Sequence, residues 1–162
     1  VQTGALPISL LAGAQGWRVD TSEQGRFSIE FPGKAEETVR KDTSGGPEVH
    51  YVTWFPNDSM GYMVDWTDLS AHYPASTPMK QLLEQSRDAA THNIRANNVI
   101  TTITSLGREP YIEFSYTSAE FTGRGRVYII NNTQYVVLTL FPRSTGVSEG
   151  AGRFIRSFKY RW

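Results

Sequence analysis

The chain has 162 residues, no cysteine, and 16 Lys and Arg balanced by 16 Asp and Glu. That length suits one domain, which buries about 70% of the surface its unfolded chain exposes and needs no metal or disulfide staple. Zero net charge argues against a nucleic-acid or anionic-membrane partner, and the missing thiols exclude disulfides, thiolate catalysis and zinc fingers.

The first segment, 1–16, reads as an N-terminal arm. Ala5 to Ala14 is apolar but shorter than the roughly 18 residues that cross a bilayer. It ends in Ala12-Gly13-Ala14, the pattern of an A-x-A cleavage site at the end of a signal peptide. Export to the periplasm or the extracellular space is therefore expected, with an ordinary apolar arm as the alternative. Residues 17–162 are expected to form a single α+β domain.

Trp17 to Gln24 reads as a lead-in. Phe27, Ile29 and Phe31 then alternate with Ser28 and Glu30, which predicts a half-buried strand stopped at Pro32-Gly33. Residues 35–41 form a more polar strand suited to a sheet edge. A turn at 43–47 leads to a strand from Glu48 to Phe55. After Pro56 to Ser59, Tyr62, Val64 and Trp66 alternate in the next strand. Thr77 is placed to cap a helix with Pro78 at its first position, and Met79, Leu82, Leu83, Ser86 and Ala90 follow at helical spacing.

Val99 to Leu106 is a Thr- and Ile-rich strand, interrupted at Gly107 to Pro110 and resumed from Tyr111 to Tyr116. Arg126 to Ile130 and Tyr135 to Phe141 form the clearest hairpin, joined through Asn131-Asn132-Thr133-Gln134. Asn tolerates the positive φ such a turn demands. Val147, Ala151, Phe154, Ile155 and Phe158 predict a short amphipathic helix ending near Ser157, with a last short strand over 158–162. The prevalence of hairpins favours an antiparallel sheet with helices packed on it.

Three segments carry a family resemblance. Gly25-Arg26-Phe27-Ser28-Ile29-Glu30-Phe31-Pro32-Gly33 resembles the opening strand of bacterial exported proteins with a PsbP-like fold. Gly125 to Tyr135 looks like their central hairpin, and Arg153 to Phe158 like their terminal helix. The resemblance implies an antiparallel sheet flanked by helices in an α/β/α sandwich. It also implies a mainly non-enzymatic, partner-binding role, as in photosystem accessory proteins and a Ran-binding import factor. It carries over no catalytic residue. The lipoproteins of the group bear a lipidated Cys, which this chain lacks.

Few residue sets could carry chemistry. Asp42-Thr43-Ser44-Gly45-Gly46-Pro47 looks like the nucleophile loop of chymotrypsin-like proteases. A Thr separates Asp42 from Ser44, however, and no histidine precedes it in the chain, so a hairpin turn explains it better. Asp65, Asp68 and His72 form the one close Asp/His cluster and are the candidate metal ligands, against a reading as solvated loop residues. Gly123-Arg124-Gly125-Arg126 lacks the Gly-Lys-Ser/Thr ending of a phosphate-binding loop and reads as a flexible hairpin entrance. No catalytic set and no cofactor is expected.

From residue 121 onward seven basic side chains face one acid, Glu149. Arg124, Arg126, Arg153 and Arg156 are the candidate partner-binding residues, because the planar guanidinium pairs bidentately with acidic groups. The alternative spreads them over both sheet faces, paired with the acids of residues 20–48. The resulting expectation is a non-enzymatic, exported binding or assembly accessory domain with a protein partner. Its rival is a small-ligand-binding protein or hydrolase with a pocket built from distant loops, where Trp54, Trp66, Tyr73 and Tyr128 would line an apolar cleft unless they are core residues.

Overall fold

Period-two alternation recurs along the chain, and the described residues form ten strands and two helices. The computed structural model describes residues 16–41, 44–69 and 76–162. Residues 1–15 of the expected N-terminal arm, together with His72 and Tyr73, lie outside the described residues.

β1 (Arg18–Ser22), β2 (Phe27–Phe31) and β10 (Lys159–Tyr160) form a three-stranded antiparallel sheet in the order β1-β2-β10. A seven-stranded antiparallel sheet holds β3 (Glu36–Arg40), β4 (Val49–Asn57), β5 (Met60–Asp68), β9 (Thr133–Pro142), β8 (Phe121–Ile130), β7 (Tyr111–Thr117) and β6 (Asn98–Ser105), in that spatial order. Two helices are described, α1 (Met79–Asn93) and α2 (Gly150–Ser157).

The antiparallel α+β reading therefore stands, but the helix-flanked sandwich does not. Only α1 covers one face of the large sheet. The other face is covered by the small sheet together with α2. The reason is area: an eight-residue helix is about 12 Å long and cannot shield a wide sheet alone. β2 supplies the rest, burying Phe27, Ile29 and Phe31 beside Phe154 and Ile155 of α2. The stretch expected as a mere lead-in is β1, which pairs with β2 from Arg18 against Phe31 to Ser22 against Phe27.

Alternation gives the large sheet an apolar cluster on each face. Tyr62, Val64, Trp66, Tyr128, Tyr135, Val137 and Phe141 meet the small sheet and α2. Their neighbours Val127, Ile129, Val136 and Leu138 point the other way, toward Leu82 and Leu83 of α1. No residue of β6 joins the cluster under the small sheet, so that cover stops short of the β6 side.

Three local details differ from or refine the sequence reading. Pro78 occupies the cap position of α1 and not its first turn, with no side-chain cap bond, because its extended backbone (ψ 141°) precedes the helix. Asn131 and Asn132 both have positive φ, 50° and 58°, and close the β8–β9 turn as expected. β8 starts at Phe121, so Gly123 and Gly125 lie inside a strand and not in a flexible entrance. A Cβ at Gly123 would collide with the Thr139 carbonyl oxygen and the Tyr116 ring. Glycine lets Tyr116 lie across the strand and donate its hydroxyl hydrogen to that same carbonyl at 2.7 Å.

The two edges of the large sheet are unlike. β3 carries Glu36, Glu37 and Arg40. Asn98 to Leu106 of the β6 edge carries no charge, and its pairing with β7 shifts register between Thr101 and Ile103.

Candidate functional site

Five of the seven basic residues after position 120 lie on β8, α2 and β10, in two groups of different character. The first is built on the β7–β8 ladder. Strand pleating aims Tyr111, Glu113 and Ser115 at the small-sheet face, and register sets Glu113 opposite Arg126. Glu113 is buried. Arg126 donates from Nε to its Oε1 at 2.8 Å, and Nη2 of Arg124 lies 3.6 Å from Oε2. Arg126 also donates from Nη1 to the Tyr128 hydroxyl at 3.0 Å, and its guanidinium lies 4.6 Å from the Tyr111 ring centre. Burial pushes the Tyr128 hydroxyl above the usual tyrosine range, and the hydrogen bond from Arg126 works against that rise. These arginines hold a buried carboxylate in place.

The second group lies on α2 and β10. Ala151, Phe154 and Ile155 are buried, which turns Arg153 and Arg156 outward. Arg153 reaches Glu30 of β2 at 3.3 Å and covers the Trp17 ring at 4.4 Å. Arg156 and Lys159 have no ion pair among the described residues. Together with Arg153, Ser28 and Glu30 they line a cleft of about 620 Å³.

Lys159 borders a second cleft, of about 600 Å³, lined by Arg108, Tyr111, Arg126, Tyr128, Phe158 and Trp162 among others. Arg108, on the turn between β6 and β7, stacks over Trp162 at 3.9 Å from the ring centre. It too has no ion pair among the described residues. The four arginines singled out from sequence thus divide. Arg124 and Arg126 neutralise Glu113, Arg153 pairs with Glu30, and Arg156 is uncommitted. Sequence reasoning missed Arg108, which lies outside the 121–162 basic run, and gave Lys159 no special weight.

The other candidates are spread out. Asp65 and Asp68 both lie on β5, three residues apart, and the pleat sends them to opposite faces. Their third member, His72, falls outside the described residues. Among the described residues no three metal-ligating side chains converge. Trp54, Trp66 and Tyr128 belong to or pack on the cluster under the small sheet, and Tyr128 also edges the cleft beside Trp162. Trp66 stacks on His50 at 3.9 Å and 7°, and His50 Nε2 lies 2.9 Å from Glu48 Oε1.

No protein-family model matches the sequence, and no curated protein matches it significantly. Among solved structures the chain is similar to cyanobacterial PsbP (CyanoP) from Synechocystis sp., with a TM-score of 0.59 over 90% of this chain and 92% of that chain. The fold is PsbP-like. Sequence identity to CyanoP is 8%, so the PsbP-like likeness carries the path of the backbone and no side chain of the site. Among the described residues no helix is long and apolar enough to cross a membrane.

Proposed function

We propose that this chain is a non-catalytic accessory domain that docks an acidic protein partner on the basic strip formed by α2, β10 and the β6–β7 turn. The observation that carries this reading is Lys159. It borders two clefts whose cations Arg108, Arg156 and Lys159 have no ion pair among the described residues, while the nearby acid Glu30 is already engaged by Arg153. Uncommitted cations beside apolar rings supply the pairing and the desolvated contact area that protein interfaces use. The PsbP-like fold supports an accessory role, and the Ala12-Gly13-Ala14 pattern supports export. A protein fits better than nucleic acid because the whole chain is uncharged on balance.

The test reverses the uncommitted charges. An Arg108→Glu, Arg156→Glu, Lys159→Glu chain is compared with the wild type in pull-downs from native extract at low and moderate salt. The expected result is salt-sensitive recovery of an acidic protein by the wild type and its loss with the variant. Equal recovery by both chains would reject this strip as the docking surface.

A further inference from the structure

The cleft beside Trp162 differs from an ordinary basic patch, because two of its three cations are held by rings. A guanidinium has two faces and five edge donors. Trp162 covers one face of Arg108, and Tyr111 covers one face of Arg126. Arg126 has spent Nε on Glu113 and Nη1 on Tyr128, which leaves Nη2 uncommitted. The side chains of Arg108 and Lys159 have no hydrogen-bond partner among the described residues, so their donors are open to a ligand.

The charge balance is favourable even on a strict count. With Arg126 assigned wholly to Glu113, Arg108 and Lys159 still face a single lining acid, Glu109. The volume, about 600 Å³, lies within the roughly 300–1,000 Å³ span of small-molecule sites. Its walls include Tyr111, Tyr128, Phe158, Tyr160 and Trp162. A simple inorganic anion would use the donors and waste the rings. A neutral apolar compound would use the rings and leave the donors unmatched.

We infer that this cleft is a binding site for a small aromatic carboxylate. The carboxylate takes the edge donors of Arg108 and Arg126 with the Lys159 ammonium, and the ring stacks among the cleft aromatics and the uncovered guanidinium faces. The cleft shares Arg108 and Lys159 with the proposed docking strip, but the inference does not rest on that reading, since the ligand is free and no partner takes part.

The experiment is an amide NMR titration of the whole chain with phenylacetate, acetate and benzyl alcohol in parallel. Phenylacetate should give saturable shifts centred on Arg108, Tyr111 and residues 158–162. Its affinity should exceed that of either fragment by at least about tenfold, or about 1.4 kcal/mol. Arg108→Gln with Lys159→Gln should remove most of that advantage while the remaining spectrum keeps its native dispersion. Acetate binding as tightly as phenylacetate would reduce the site to a general anion patch and overturn the inference. Equal binding by benzyl alcohol, saturation elsewhere on the chain, or no saturable shift would overturn it as well. A wild-type chain that recovers its partner but gives no saturable phenylacetate shift would sink this inference alone.

Discussion

Glu113 and Asp65 are both carboxylates on central strands of the large sheet, one on each face, and the fold treats them in opposite ways. Glu113 faces the small-sheet side and is met by Arg126 at 2.8 Å and Arg124 at 3.6 Å. Asp65 faces the α1 side, opposite Val136 and Tyr51, half-buried and with no hydrogen bond or ion pair among the described residues. Burial pushes its carboxyl up to about 7. A charge held inside a sheet survives either by pairing or by giving up its charge, and this chain uses one solution per face.

Breaking the paired side should have the largest effect. Arg126→Ala leaves Glu113 buried with only the longer contacts to Arg124 at 3.6 Å and the Thr102 hydroxyl at 3.4 Å, and should cost about 3–5 kcal/mol in urea denaturation. Replacing the pair together, Glu113→Leu with Arg126→Met, should recover most of that loss, since an apolar pair leaves no orphaned charge. The frame that sets the ladder comes next. Gly123→Ala drives a methyl group into the Thr139 carbonyl and Tyr116, and should cost about 1–3 kcal/mol, read as a lower melting temperature.

The unpaired side gives a pH signature. Between about pH 4 and pH 7 the native Asp65 keeps a proton that the unfolded chain has released. The native state then binds more protons, so stability falls as pH rises through that window and levels off above it. Asp65→Asn should flatten this slope and raise the melting temperature at pH 8 relative to the wild type, with little change at pH 4. The smallest effect sharpens the contrast with Arg126. Arg156→Ala with Lys159→Ala should stay within about 0.5 kcal/mol of wild-type stability, because neither side chain neutralises a buried group.

Where alternation is strong, the sequence is readable. Phe27-Ser28-Ile29-Glu30-Phe31, the Asn131-Asn132 turn and the Phe154-Ile155 helix were all legible, since each sets a clear apolar face or a required φ. β1 was not, because Arg18 to Ser22 is mostly exposed and has no apolar period to detect. The start of β8 was hidden because Gly123 and Gly125 look like a flexible hinge until Tyr116 and Phe114 are seen filling the space beside them. The basic excess could be counted from sequence, but its division could not. Glu113 meets Arg126 only through a cross-strand register, and Arg108 meets Trp162 only through the topology that carries the β6–β7 turn to the residues after β10.

The uncharged β6 edge has a consequence for how the molecule behaves in a crowd. Asn98 to Leu106 is rich in Thr and Ile, the composition that recruits a foreign strand into a growing fibril, and Ile100 and Ile103 are exposed along it. The slipped register at Thr101 and Ile103 bends the strand and spoils it as a template. Deleting Thr102 would straighten that edge. The trimmed chain should seed thioflavin-positive aggregates at concentrations where the parent stays clear.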